Sequence, residues 1–136
     1  MEDELLLVVL QRATHVTLQV LGTELADLGL TASELNVLAN LADGRGRTVS
    51  ELGAAAGVRP TTLTGVLDRL EQKGQITRAA RPGDRRAVEI ALTEVGVKSA
   101  GQVQRAFAAV EKEALAGVSP TAVNQARKVL TALAAI

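Results

Sequence analysis

The amino-acid sequence predicts a mainly α-helical domain that carries one small β-hairpin. Apolar residues recur at helical spacing along most of the 136 residues, whereas the stretch from Ile76 to Leu92 includes the apolar–polar alternation of a strand. Capping residues and glycines divide the helical stretches into separate elements. With 47% hydrophobic and 22% charged residues, the chain has the composition of a globular protein and the length of one domain.

The first helical stretch extends from about Leu5 to Leu28, and Gly29 is a suitable C-terminal cap. Its apolar residues cover more of the helix surface than one core face requires, so we expect this helix to have a second partner. The acidic start from Glu2 to Glu4 suits a helix N-terminus and lacks the basic charge of a signal peptide. The short apolar run that follows cannot span a bilayer. We therefore expect a cytoplasmic protein that does not associate with membranes.

The next two helices are short, and each begins with a capping box. The first box is Thr31–Glu34, and the helix that it opens ends before Asp43-Gly44. The second box is Thr48–Glu51, and its helix ends at Gly57. Glycine at this position allows the tight turn that leads into the following helix.

A further helix begins at Pro60 and extends to about Lys73. Proline suits the first helical position because it lacks an N–H group that would be unpaired there. The apolar residues of this helix recur at i, i+3, i+4 and i+7, which predicts one buried face. Small polar groups dominate the opposite face, which carries Thr61, Thr62, Thr64, Gly65, Asp68, Arg69 and Gln72. Such a face can enter a DNA major groove roughly 12 Å wide and bring threonine groups to phosphates or base edges.

The periodicity then changes to that of β-strands. Ile76–Ala80 and Ala87–Leu92 are predicted strands, and the Pro-Gly pair within Arg81–Arg86 predicts the turn between them. The arginines at the tip of this hairpin suit the negative potential of a DNA minor groove. Two helices follow, from Thr93 to about Ala116 and from Ser119 to the end. Short capped helices followed by such a hairpin indicate a winged helix-turn-helix with flanking helices.

The chain has no net charge, but its charges are segregated. Residues 1–44 carry a net charge of −6, residues 45–86 a net charge of +5 and residues 87–136 a net charge of +1. A basic middle segment is typical of a nucleic-acid-binding surface. The arginines that we expect to contact phosphates, without reading the DNA sequence, are Arg69, Arg78, Arg81 and Arg85.

Several classes of site are excluded by composition. Cysteine is absent and His15 is the only histidine, which excludes a disulfide framework, a thiolate zinc site and a multi-histidine metal site. The sequence also lacks a phosphate-binding glycine loop and a histidine–carboxylate cluster. We therefore expect no metal, no cofactor and no enzymatic activity.

Several short motifs extend from the second helix to the start of the fifth. They are Leu30–Leu35, Val49–Leu52 with Gly57-Val58, Thr61–Thr64, Leu67–Gly74, Asp84–Val88 and Leu92–Gly96. Through these motifs the chain resembles the MarR family of bacterial regulators. The resemblance covers nearly the whole chain, although the flanking helices match by pattern only.

The resemblance implies a homodimer that binds a pseudo-palindromic operator in double-stranded DNA. Residues 1–30 and 93–136 would supply the dimerisation helices, and residues 31–92 the DNA-binding winged helix-turn-helix. In the family the wing aspartate, here Asp84, orients the arginine that enters the minor groove, here Arg86. Arg59 stands where the family commonly has a small capping residue. Arg59 and Pro60, at the start of the recognition helix, are therefore further candidates for DNA contact.

Two residues of the first helix are candidates for binding a small anionic effector. Arg12 and His15 lie one helical turn apart, near the position where the family places its ligand pocket, and together they could hold a carboxylate. The alternative is that His15 lies at the solvent edge or in the dimer interface. The chain has no Trp or Tyr, and Phe107 is its only aromatic residue, in contrast to family members that bind phenolic ligands in aromatic pockets.

Together these observations predict a sequence-specific, ligand-responsive repressor that acts as a homodimer. An alternative is a winged-helix module that binds another protein and does not bind DNA. Such a module would not need Asp84 together with Arg85 and Arg86.

Overall fold

The computed structural model describes residues 3–136, so Met1 and Glu2, at the acidic start, lie outside the described residues. The predicted class is confirmed, since helices make up most of the chain and one small antiparallel sheet forms the wing. The elements are α1 (Leu6–Glu24), a 3₁₀ helix (Ala26–Leu28), α2 (Ala32–Ala39), β1 (Arg47–Thr48), α3 (Val49–Ala56), α4 (Pro60–Gln72), β2 (Ile76–Arg81), β3 (Asp84–Leu92), α5 (Glu94–Ala114) and α6 (Pro120–Ala134).

An aliphatic core lies within the winged helix-turn-helix. Leucines of α2, α3 and α4 meet Ile76 and Ile90 of the wing sheet, and Val103 of α5 joins them. All of these side chains are buried. Since burying one such side chain contributes about 1.5–3 kcal/mol, this cluster fixes the helices and the base of the wing relative to one another.

Both predicted capping boxes and the stop at Gly57 are confirmed, whereas Gly29 caps the 3₁₀ helix and not α1. The Thr31 hydroxyl accepts a hydrogen bond from the Glu34 N–H at 3.2 Å, and the Glu34 carboxylate accepts one from the Thr31 N–H at 2.8 Å. The same reciprocal pair is present within Thr48–Glu51. Gly29 and Gly57 both adopt positive φ, at 64° and 69°, in the left-handed region that favours glycine.

Several element boundaries differ from those predicted. The first α-helix ends at Glu24, because the chain turns there into the 3₁₀ helix and buries Leu25 in the core. The second helix ends at Ala39, short of the predicted stop at Asp43-Gly44. Strand β1 was not predicted, since two residues are too few to show an alternating pattern.

The wing is a three-stranded antiparallel sheet with the order β1-β3-β2. Its strands extend to Arg81 and Asp84, which pair with each other, so the turn is shorter than predicted and contains Pro82 and Gly83. A register shift interrupts the ladder between Ala80 and Arg81. The alternation of Val88, Ile90 and Leu92 in the sequence predicts that all three face the core, but Val88 is 46% exposed, because the hairpin extends beyond the core.

Helices α1 and α6 expose apolar faces. Leu21 is the only buried residue of α1, and none of the residues of α6, all of which the structure describes, is buried. Exposed apolar side chains on these helices include Leu6, Val16, Val129 and Leu130. This exposure agrees with the expectation that the first helix has a further partner. Within residues 3–136, no helix combines the length and apolar character needed to cross a membrane.

Candidate nucleic-acid interface

Helix α4 presents the predicted polar face to solvent. Its N-cap is Arg59, whose side chain makes no capping bond, and Pro60 occupies the first turn. The apolar stripe from Leu63 to Leu70 is buried, which fixes the rotation of the helix about its axis. Thr61, Thr62, Thr64, Asp68 and Arg69 are exposed, and Gly65 is half-buried.

The first two turns of α4 are the part best suited to approach a base edge. Thr61 and Thr62 are exposed close to the helix start. The Thr64 hydroxyl donates a hydrogen bond to the Pro60 carbonyl oxygen at 2.9 Å, which leaves its methyl group as the outward contact. No side chain larger than threonine stands between residues 61 and 65 on this exposed face, so a groove wall can come close to the backbone.

The turn between α3 and α4 sets how these helices cross. Gly57 ends α3 with a positive φ, and the Val58 N–H donates to the Gly53 carbonyl oxygen at 2.9 Å. A Cβ on Gly53 would lie 3.0 Å from the Val58 carbonyl oxygen, so the backbone passes close to the helix at this point. Leu52 and Leu63 are fully buried and join the two helices through the core.

The tip of the wing carries two exposed arginines, Arg85 and Arg86. None of the ion pairs within residues 3–136 involves either of them. Asp84 accepts a hydrogen bond from the backbone N–H of Arg86 at 3.1 Å, so the carboxylate contacts the main chain of the tip. The Asp84 carboxylate therefore orders the tip backbone from which both guanidinium groups project.

Two other arginines predicted to contact phosphates are paired with carboxylates. Arg78 forms ion pairs with Asp68 and with Glu71. Arg81 forms ion pairs with Glu51 at 2.6 Å and with Glu89 at 2.9 Å. These two guanidinium groups are therefore directed at protein groups, unlike those of the wing tip.

The C-terminal end of α4 is tied to α2 through a buried carboxylate. The side chain of Glu34 is fully buried, and its Oε1 accepts a hydrogen bond from Lys73 Nζ at 2.8 Å. Lys73 Nζ also donates to the Gly29 carbonyl oxygen at 3.2 Å. Arg69 Nε lies 3.9 Å from Glu34 Oε2, with the Arg69 side chain 48% exposed. Arg69 thus lies at the edge of the candidate interface with its charge partly balanced.

A separate open cleft of about 430 Å³ lies between α1, α2 and α5. Its walls include Thr14 and Thr17 of α1, Ser33 of α2 and Phe107 of α5. Arg12 and His15 are not among the described residues that line this cleft. Arg12 is paired with Glu4, and His15 is exposed. Their role in binding an effector therefore stays a prediction that this cleft does not support.

The carboxylates that organise this surface carry no signal in the sequence for their ion pairs. The sequence predicts Glu34 and Glu51 only as capping residues, and Glu89 only as a residue of the strand Ala87–Leu92. Glu34 pairs with Lys73, which lies 39 residues away in the chain. Glu51 and Glu89 both pair with Arg81, which lies 30 and 8 residues away from them. A capping box is a local signal, whereas these ion pairs depend on how the elements pack. Among residues 3–136, no group of acidic or histidine side chains has the arrangement of a metal site.

Comparison with known proteins gives a consistent result. Residues 30–88 match the MarR family. The HTH-type transcriptional repressor MdtR of Bacillus subtilis (strain 168) is 40% identical over 68 residues, which are 50% of this chain and 44% of the repressor. The matched segment therefore spans less than half the length of that relative.

Solved structures match over most of the chain. CouR from Rhodococcus jostii RHA1, bound to p-coumaroyl-CoA, superposes with a TM-score of 0.86 at 29% identity, covering 98% of this chain and 93% of that one. A MarR-family transcriptional regulator from Rhodococcus sp. RHA1 superposes with a TM-score of 0.74 at 29% identity, covering 93% and 89%. Residues 30–88 therefore match the MarR family, and the chain as a whole has the winged helix-turn-helix fold of a solved MarR-family transcriptional regulator.

Proposed function

We propose that this protein is a homodimeric, ligand-responsive repressor that binds a pseudo-palindromic operator. In each half-site α4 enters the major groove, and the wing places Arg86 in the adjacent minor groove. Arg59, Arg69 and Arg85 contact phosphates on either side. The regulator acts in the cytoplasm, where its operator lies, and has no enzymatic activity.

The observation that carries the DNA-binding proposal is the contrast between the two faces of α4. Leu63 and Leu70 anchor one face in the core, while Thr61 and Thr62 are exposed on the other. The exposed wing tip at Arg86 supplies positive charge on the same winged helix-turn-helix, and the exposed Arg69 supplies it on α4 itself. A helix that is small and polar on its free side, next to cationic groups, suits a groove lined by phosphates.

The homodimer is supported by the exposed apolar faces of α1 and α6. Leu6 is 56% exposed and Leu130 is 46% exposed, and neither has the cover that an apolar side chain at a helix face normally has. A second copy would cover both helices and hold two α4 helices about 34 Å apart, one helical turn of DNA.

A ligand response is supported by the cleft at Phe107, which lies where α1, α2 and α5 meet. A molecule bound there would contact the proposed dimerisation helices α1 and α5 and also α2, the first helix of the DNA-binding unit. The solved structure of CouR was determined with p-coumaroyl-CoA bound. We propose that a ligand in this cleft changes the spacing of the two α4 helices, so that both half-sites can no longer be bound together.

The test is fluorescence anisotropy with a labelled duplex from the upstream region of the gene, titrated at several salt concentrations. Wild-type protein should bind at two subunits per duplex with a steep salt dependence. Arg86→Ala should weaken binding by about 1–3 kcal/mol. Arg105→Ala is the matched control, because it removes the same charge from the exposed surface of α5. Weak binding that is equal for the wild type and both variants would favour the protein-interaction module instead.

A further inference from the structure

Two arginines of β2 hold carboxylates on opposite faces of the wing sheet. Arg78 pairs in register with Ile90, which is fully buried, so Arg78 lies on the face toward the core. Glu89 precedes Ile90 on β3, so its side chain projects from the other face, where Arg81 contacts it. The sheet is therefore held from both sides.

Arg78 connects the wing to the helix proposed to read the major groove. Its Nη2 group is hydrogen-bonded to Asp68 and, at 3.2 Å, to Glu71. These carboxylates are three residues apart on α4 and therefore share one face of that helix. Only 23% of the Arg78 side chain is exposed, and both carboxylates raise its pKa above the ordinary value.

Arg81 connects the outer part of the wing to α3. Its Nη2 donates to Glu51 Oε1 at 2.6 Å, and its Nε donates to Glu89 Oε2 at 2.9 Å. The same Glu51 oxygen accepts the Thr48 N–H at 2.9 Å, which completes the capping box of α3. Hydrogen bonds from Arg81 and from the Thr48 backbone lower the pKa of Glu51 from 4.5 to about 2. The pair is therefore fully ionised at neutral pH.

We propose that Arg78 and Arg81 position the wing against α4 and α3, and do not themselves contact DNA phosphates. This inference rests on the DNA-binding function proposed above. To reach a phosphate, either arginine would first have to break charge-assisted hydrogen bonds to two carboxylates. The hairpin also extends beyond the core, and a two-stranded hairpin is only marginally stable by itself. The ion pairs of Arg78 and Arg81 compensate for this low stability and fix the direction in which Arg86 projects.

The first test uses Glu89→Gln, for which the two roles of Arg81 predict opposite signs. If Arg81 contacted phosphate, removal of a competing carboxylate would release it and strengthen DNA binding. If Arg81 positions the wing, binding should weaken by about fivefold, the effect of losing one charge-assisted hydrogen bond that orders the site. Glu94→Gln is the charge-matched control, on the exposed first turn of α5. Tighter binding by Glu89→Gln than by Glu94→Gln would overturn the proposal.

A charge-neutral variant tests the same contact. A Cβ on Gly46 would lie 1.9 Å from Glu89 Oε1, so Gly46→Ala should displace that carboxylate from Arg81. Gly46→Ala should weaken DNA binding with no change in the number of charges, while Gly117→Ala, where nothing lies within 4 Å, should not. Equal binding by both glycine variants would count against the positioning role.

The second test is a double-mutant cycle between Arg81 and Arg86. Arg81→Ala should weaken binding in the wild type and have little further effect in Arg86→Ala, since a misplaced wing cannot lose a contact that is already absent. The salt dependence of the double variant should equal that of Arg86→Ala. Two results together would show that Arg81 makes a separate phosphate contact and would overturn the proposal. The losses in binding free energy of the two single variants would be additive, and the slope of log K against log salt would be smaller in the double variant than in Arg86→Ala by about 0.9.

Amide hydrogen exchange of the free protein tests, without DNA, whether the ion pairs of Arg81 hold the wing in place. Arg81→Ala should speed amide exchange in the outer residues of β2 and β3, and Arg85→Ala, at the exposed tip, should leave it unchanged. Unchanged exchange in Arg81→Ala would overturn the positioning role of Arg81 whether or not the protein binds DNA. Absence of DNA binding by the wild type would overturn the proposed function. Hydrogen exchange would still show whether Arg81 positions the wing.

Discussion

Glu34 caps the start of α2 and also pairs with Lys73, so different replacements of this side chain test the two contacts separately. This carboxylate is fully buried, accepts the Thr31 N–H at 2.8 Å and accepts Lys73 Nζ at 2.8 Å. Burial raises its pKa, but the hydrogen bonds from Lys73 and Thr31 outweigh burial and leave the pKa below its ordinary value of 4.5. Glu34 is therefore charged at neutral pH although it is buried.

The expected losses follow from these contacts. Glu34→Gln keeps an acceptor for the Thr31 N–H and removes the charged partner of Lys73. Because the Lys73 side chain is 38% exposed and can be hydrated instead, we expect the unfolding free energy to fall by about 1 kcal/mol. Glu34→Ala also removes the capping acceptor, which is worth about 1 kcal/mol, and one buried methylene group, which is worth about 0.8 kcal/mol. We expect Glu34→Ala to lose about 3 kcal/mol of unfolding free energy in total.

The measurement is urea unfolding of the wild type and both variants at pH 7 and at one fixed protein concentration, because subunit association contributes to the apparent stability. The order of stability should be wild type, then Gln, then Ala, with an unchanged dependence on urea. In a Lys73→Ala background, Glu34→Gln should cost less than in the wild type. Losses below about 0.5 kcal/mol for Glu34→Ala, a value typical of plain surface substitutions, would refute this reasoning.

Three further predictions follow from individual contacts. The pKa of Glu51 is lowered to about 2, so its stabilising contribution is complete above about 4.5 and is lost as pH falls toward 2; Glu51→Gln should flatten the melting temperature measured across this range. A Cβ on Gly96 would lie 1.9 Å from the Gln75 carbonyl oxygen, so Gly96→Ala should lower the unfolding free energy by about 2 kcal/mol, measured in urea. Leu130 is 46% exposed on α6; Leu130→Lys should yield monomers in light scattering, and an unchanged dimer would remove α6 from the proposed interface.

The helices of the winged helix-turn-helix were predictable because their signals are local. The capping boxes at Thr31 and Thr48, the proline at the start of α4 and the left-handed Gly57 all act within a few residues. The buried stripe of α4 follows from its periodicity alone. These local signals correctly predict where α2, α3 and α4 begin and where α3 ends.

The ion pairs were not predictable, because their partners are distant in the chain or in different elements. Arg78 and Arg81 were assigned to phosphates from charge alone, and only packing brings them to Glu71 and Glu51. Strand β1 exists because β3 offers it an edge, with Arg47 opposite Ile90, and not through any pattern of its own. The end of α1 likewise depends on the core that receives Leu25.

The most direct test of the central claim is to select genomic DNA fragments with the purified wild-type protein and with Arg86→Ala, and to sequence the bound fragments. The account predicts that the wild type enriches an inverted repeat whose half-sites are centred about 10 base pairs apart, the spacing that matches two α4 helices about 34 Å apart. It also predicts that Arg86→Ala recovers the same sites with much lower yield. Fragments with no shared motif, or equal enrichment by both proteins, would contradict the proposed operator-binding dimer.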